Sequence, residues 1–149
     1  MANIANRSKE EEELTRLTVE MRFLEQTAET LQQRIGMINA AITDLTYANM
    51  TLDGMEKEKE DAELLVPIGG SSYVKVKLAS TDKVVVGMGA GVSIEKTLPE
   101  AKAIVKERLG ELQKTVVSAQ QQFAQVAQRI AASRSQLQSL LAKVREGKA

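Results

Sequence analysis

The chain has 149 residues, with 20 Lys plus Arg against 20 Asp plus Glu, no Cys and no His. Balanced charge gives no net field to draw in nucleic acid or an anionic membrane, and with no Trp and few aromatics there is little surface on which bases stack. The missing Cys and His exclude disulfides, thiolate zinc sites, thiol nucleophiles and imidazole acid–base chemistry.

The N-terminal segment carries Arg7, Lys9 and the run Glu10 to Glu13, without the apolar core of a signal peptide, and no apolar stretch is long enough to span a bilayer. A first helix is expected over about 8–53, capped by Asn6 or Ser8 and stopped by Gly54. Within it Leu14, Leu17, Met21, Leu24, Ala28, Leu31, Ile35, Ile38, Ile42, Leu45, Asn49 and Leu52 alternate by three and four. That mean period of 3.5 makes a narrow stripe that a second helix covers. Asn49 is the polar member of the stripe. The charge-dense stretch Met55 to Glu63 reads equally as a last helical turn or as a linker.

The texture then changes to period two. Leu64, Val66 and Ile68 alternate before Gly69 and Gly70, and Val74, Val76 and Leu78 share one face of the next run. Ser80-Thr81-Asp82 is turn chemistry, Val84-Val85-Val86 is β-branched, and alternation resumes from Val92 to Glu95. Four short strands in two hairpins are expected over about 64–96. The glycine-rich run from Gly87 to Gly91 has neither the spacing nor the following helix of a dinucleotide loop, and fits a bend or bulge.

A second helix is expected over about 98–146, capped by Thr97, with Pro99 in its first turn and Gly147 at its end. Its stripe is Val105, Leu109, Leu112, Val116, Ala119, Phe123, Val126, Ile130, Ser133, Leu137, Leu140 and Val144. Two stripes of similar length either side of a connector predict an antiparallel coiled-coil hairpin within one 1–149 domain. Facing residue numbers then have a constant sum. A sum of 154 sets Leu14 against Leu140, Leu24 against Ile130 and Leu31 against Phe123. A sum of 161 sets Ala28 against Ser133 and leaves a gap costing on the order of 1 kcal/mol or more. Arms of roughly 45 residues at about 1.5 Å per residue predict a hairpin of about 70 Å.

The fold class is therefore α+β: a long coiled-coil hairpin with two short β-hairpins. Val74, Val76, Val84, Val86, Val92 and Ile94 form an apolar face that the small helix ends are not expected to cover. Association through the strands into an oligomerising β hub would remove their open edges.

Helix, two hairpins, helix resembles the alpha-class prefoldin subunit, of archaeal type. The residues that carry the likeness are Leu65-Val66-Pro67-Ile68-Gly69, Ser72-Tyr73-Val74-Lys75, Asp82-Lys83-Val84-Val85-Val86 and Gly89-Ala90-Gly91-Val92-Ser93-Ile94-Glu95-Lys96. Two hairpins rather than one match the alpha class and not the beta class. The resemblance implies a hexamer of two alpha and four beta subunits, β-barrel hubs and six projecting coiled coils. It also implies that unfolded proteins are held at the coiled-coil tips and passed to a group II chaperonin in the cytoplasm, without nucleotide or other cofactor. Neither nucleic acid nor membrane is an expected partner.

Off-stripe apolar residues are candidates for the client surface. Val19 and Phe23 lie four apart on the outer face of the first helix, Leu141 sits beside Leu140, and Ile4 precedes the first heptad. Scattered exposed apolar residues are normal on any protein, whereas a patch offers adaptable area to an unfolded chain. Leu14, Leu137 and Leu140, at the stripe ends, complete the candidate set. The Gln-rich stretch around Gln120 to Gln128 reads as a solvated face. No arrangement of Ser, Asp and Glu suggests a catalytic or metal site, so no enzymatic role is expected. The competing reading is a structural filament or adaptor assembled through the β-hairpins, distinguished from a discrete chaperone complex by assembly size.

Overall fold

A computed structural model describes residues 2–147, with side chains from residue 4 onward. The order is α1 (Ala2–Met55), β1 (Glu63–Gly69), β2 (Ser72–Lys77), β3 (Lys83–Gly89), β4 (Val92–Thr97) and α2 (Leu98–Glu146). This is the α+β fold that the two periodicities predict. Every stripe residue on both helices is buried or half-buried, so the 3.5 period does mark the seam.

Residues 1–39 and 115–149 form one compact unit, and residues 40–114 form another. In the first, Leu17, Leu24, Val116, Ala119 and Leu140 are buried, with Ser133 the buried polar residue of the seam. The Arg7 guanidinium donates to the Gly147 carbonyl, and Arg129 reaches Glu20 at 3.4 Å. In the second, Lys102 meets Asp53. Arg7 with Gly147 and Asp53 with Lys102 are the neighbours that a register sum near 154 brings together.

The helix ends differ from the capping expectation. α1 runs straight through Asn6, Ser8 and Gly54. Pairing with α2 extends it: Arg7 places its positive charge on the carbonyl end of α2, a favourable dipole contact that a cap at Ser8 would forgo. After Met55 the chain tightens, with Lys57 N–H donating to Gly54 C=O at 3.1 Å and Glu58 N–H to Met55 C=O at 3.1 Å. Residues 56–62 are thus a turning connector. Thr97 does cap α2, its Oγ1 accepting from Glu100 N–H at 3.3 Å.

The two hairpins are separate two-stranded antiparallel sheets. They repeat one plan twenty positions apart. Glu63 pairs with Lys77 as Lys83 pairs with Thr97, and Val66 pairs with Val74 as Val86 pairs with Ile94. The register slips between Pro67 and Gly69 in one and between Gly87 and Gly89 in the other. Both turns use left-handed residues: Gly69, Gly70 and Ser71 at φ 102°, 56° and 59°, and Gly89, Ala90 and Gly91 at 101°, 52° and 75°. Ser71 and Ala90 hold this conformation with a Cβ, at a cost of roughly 1–2 kcal/mol each. The base of the first hairpin is extended by Leu78 N–H to Ala62 C=O and Asp61 N–H to Leu78 C=O, each 2.9 Å.

The core of the 40–114 unit corrects one expectation. Val86 is 8% exposed and packs with Leu52, Leu98, Ala101 and Val105, while Val84, Leu45, Ala48, Met55 and Ile104 pack around them. The helix ends therefore do cover a strand face. α2 starts directly after β4, and Leu98 N–H donates to Asp82 C=O at 2.8 Å, which holds its first turn beside β3. Val86 belongs to the chain's own core, and Val84 is half-buried against it.

Candidate functional site

The candidate residues fall on two surfaces, one in each compact unit. In the unit of residues 1–39 and 115–149, Val19 is 61% exposed and Phe23 67% exposed on the outer face of α1. Their four-residue spacing stacks them on one helical face while the seam occupies another. Phe23 also lines a shallow groove of about 330 Å³ with Gln26, Thr27, Thr30 and Leu31. Thr27 turns its hydroxyl back to the Phe23 carbonyl at 2.9 Å, so the groove presents methyl and aromatic surface. Leu141 is 38% exposed and Ile4 74%.

The stripe-end candidates sit differently. Leu140 is buried, and Leu14 and Leu137 are half-buried. All three are committed to the seam. Leu140 shares a second groove, of about 290 Å³, with Leu17, Glu13, Ser135, Gln136, Ser139 and Lys143. Leu140 is covered, whereas Leu14 and Leu137 keep part of their surface.

In the unit of residues 40–114 the exposed apolar residues are on the hairpins. Leu65, Ile68 and Tyr73 are more than 60% exposed, Val66 is 42% and Val74 43% exposed, and Val85, Met88, Val92 and Ile94 are exposed on the second hairpin. Val76 is half-buried. Of the predicted interface, Val74, Val92 and Ile94 are open, Val76 and Val84 are half-buried, and Val86 is buried in the core. Leu65, Ile68, Tyr73 and Val85 extend the open set. Ile68 continues the alternation of Leu64 and Val66, while Leu65, Tyr73 and Val85 lie at the alternate positions of their strands.

Off-stripe apolar residues on α1 also include Met37, Tyr47 and Met50, at 69%, 65% and 62% exposed. They carry the signal that singled out Val19 and Phe23. Nearby, Lys102 Nζ lies 2.8 Å from Asp53 Oδ1 and 2.9 Å from Glu56 Oε1, its side chain 17% exposed. The hydrogen bond from Lys102 lowers the Asp53 pKa, and the hydrogen bonds to Asp53 and Glu56 raise that of Lys102. This cluster fastens α1 to α2. Among the described residues no group of three or more Asp or Glu side chains is placed to hold a metal ion, and no helix is long and apolar enough to cross a membrane.

The Prefoldin subunit family model matches residues 24–143, which take in both hairpins and most of both stripes. The prefoldin subunit alpha of Methanococcoides burtonii is 34% identical over 125 residues, covering 84% of this chain and 91% of that protein. The prefoldin subunit alpha of Methanopyrus kandleri is also 34% identical, over 83% of this chain and 78% of its own length. In three dimensions the chain is similar to a subunit in the cryo-EM structure of filamentous PFD from Methanocaldococcus jannaschii, with a TM-score of 0.65 and 27% identity over 77% of this chain and 95% of that one. This family is a chaperone family rather than an enzyme family. With the helix–two hairpins–helix order, the buried double stripe and these likenesses together, the chain belongs to the prefoldin family.

Proposed function

We propose that this chain is the alpha-class subunit of an ATP-independent holdase that binds unfolded polypeptides and delivers them to a group II chaperonin. The observation that carries the reading is the pairing of family membership with an exposed apolar surface at Val19 and Phe23, off the seam and away from any site of chemistry. Unfolded chains share no fixed shape. A surface that holds many of them needs apolar area without a matching contour, contributing roughly 25 cal/mol per Å² buried. Weak contacts at several projecting helix pairs of one complex add through effective concentration.

Assembly with beta-class subunits, as two alpha and four beta, proceeds in this reading through the strands, with Val74, Val76, Val92 and Ile94 at the contact. Closing sheet edges in a β hub leaves the helix pairs free to hold clients. The complex works in the cytoplasm, where the chaperonin receives the client. Co-expression with a beta-class subunit tests it. A discrete complex of fixed mass that suppresses aggregation of a denatured enzyme without nucleotide, and releases it to a chaperonin, is the expected result. A complex without suppression would defeat the holdase reading.

The similarity to a filamentous PFD structure favours a second reading, open-ended assembly through the same hairpins. Its mark is mass that keeps growing with concentration, where the hetero-hexamer saturates.

A further inference from the structure

Opposite its seam, α1 carries a second row with the spacing of a seam. Val19, Phe23, Gln26, Thr30, Gln33 and Met37 follow one another by four and three, all are exposed, and none is charged. The row lies within the unit of residues 1–39 and 115–149 and runs for about 27 Å at a helical rise of about 1.5 Å per residue. Charged side chains border it, Glu20 and Arg34 along one flank and Arg22 and Glu29 along the other. In coiled-coil terms the row stands at a and d positions and its flanks at e and g. The shallow groove beside Phe23 fits the same geometry. Four of its lining residues, Phe23, Gln26, Thr27 and Thr30, are the corners of a hole that takes one knob from a facing helix. The outer face of α2 is also exposed and uncharged at Ser118, Gln121, Gln125, Gln128 and Ala132, but it has no apolar side chain larger than Ala there. Absence of charge is thus common to both helices, whereas the apolar row with its hole is on α1.

We infer that this row is a docking face for amphipathic helices of unfolded clients, seated as a third helix on the back of α1. This rests on the proposed holding of clients at Val19 and Phe23 and names the kind of segment they take. Unfolded chains keep fluctuating helices, and their apolar stripes have lost the cores that covered them. Such a stripe repeats by three and four, as the row does, and supplies the knob for the hole. An extended strand shows side chains to one side every second residue and matches neither. Each flank holds one acid and one base, so a helix of mixed charge finds opposite charges on both sides. Gln26, Thr30 and Gln33 keep the seam weak, and Met37 adapts to differing stripes, as exchange among many clients requires.

Three labelled peptides of about 20 residues, long enough to span the row, test the inference against the full-length chain by fluorescence anisotropy. The first has Leu at three–four spacing, with Ala, Gln, Glu and Lys elsewhere. The second has the same composition with its Leu spread around the helix. The third is the first with a central Pro, which breaks the helix and leaves the apolar content. The striped peptide should bind several-fold more tightly than either of the others. Thr30→Lys, at the centre of the row, should abolish that preference with helicity unchanged, and Gln125→Lys, on the outer face of α2, should keep it. Equal binding of the three peptides, a preference that survives Thr30→Lys, equal loss in both Lys variants, or a fall in the mass of the chain alone on Thr30→Lys, which would give the face to a second copy, would each overturn the inference. Aggregation suppression by the assembled complex is scored separately. Suppression without peptide preference sinks the helix-docking face and leaves the holdase reading standing. Peptide preference without suppression does the reverse.

Discussion

Lys102, one turn into α2, donates to Asp53, two residues before the end of α1, and to Glu56 just beyond it. The pair ties the two helices where the chain leaves and re-enters the strands. Its pH dependence follows from the two shifts. Asp53 is depressed below its ordinary 3.8, so its contribution is present above that value and fades as pH falls through the lower folded pKa. Lys102 is raised above its ordinary 10.5, so its contribution is full below that value and is lost as pH rises through the higher folded pKa. Lys102→Met should therefore lower Tm relative to wild type between about pH 4 and pH 10. The two proteins should converge in strong acid and strong base, and added salt should shrink the gap. A gap that persists at pH 2 would assign the effect to lost packing of the Lys102 stem.

Asn49 interrupts the stripe with a carbonyl oxygen, Oδ1, that is buried and has no hydrogen-bond partner. Leaving such an acceptor unpaired costs about 1–3 kcal/mol. Asn49→Leu should raise stability by on the order of 1 kcal/mol in chemical denaturation, because apolar area replaces the orphaned oxygen. A loss of stability, or mixed cross-linking registers, would mean instead that Asn49 holds the alignment of the seam.

Register is open to a direct reading. Leu24 is 2% exposed and lies opposite Ile130 when facing numbers sum to 154. Leu24→Cys with Ile130→Cys should form an intrachain disulfide under mild oxidation, and Leu24→Cys with Leu137→Cys should not. The opposite outcome on a non-reducing gel would establish the sum of 161.

Periodicity explains what could be read without coordinates. A 3.5 repeat sustained from Leu14 to Leu52 has one geometric solution, and alternation from Val74 to Leu78 has another, so helices and strands were both legible. Ends were less so. Asn6 and Ser8 have capping side chains, but local preference yields to the contact of Arg7 with Gly147, which is remote in sequence. The seat of Val86 was hidden for a related reason: alternation tells which side of a strand is apolar, not what meets it. The repeat of the hairpins was hidden too, because only Val66 with Val86 and Gly69 with Gly89 are identical at that spacing. As for the client surface, Phe23 stands out by lying off the heptad, yet Tyr47 and Met50 do so equally. Exposure alone does not rank them.

The core takes in Val84 and Val86 of the second hairpin and no described residue of the first, which predicts unequal costs for equal truncations. Val86→Ala opens a gap among Leu52, Leu98, Ala101 and Val105 and should cost about 1–3 kcal/mol. Val66→Ala, at the repeat-equivalent place, should change the stability of the single chain by less than about 0.5 kcal/mol. Denaturation at low protein concentration, where association is absent, compares the two. Equal losses would place β1–β2 on a core of its own.

Client holding should depend on area outside the seam. Val19, Phe23 and Leu141 are exposed, none is a stripe residue, and none belongs to the hairpins. Replacing all three by Ser removes apolar area without opening a cavity, so helicity, Tm and assembly mass should stay near wild type. Each helix pair binds weakly and the complex binds by summing them, so losing part of the surface on every copy of this chain should lower apparent client affinity several-fold. The measurement is suppression of aggregation of a denatured enzyme, without nucleotide, by the fully assembled complex carrying Val19→Ser, Phe23→Ser and Leu141→Ser. A marked rise in the complex needed for half-maximal suppression is the expected outcome. Undiminished suppression would remove this surface from client binding. It would turn attention to the groove beside Leu17 and Leu140 and to exposed Ile4, Met37 and Val117 in the same unit.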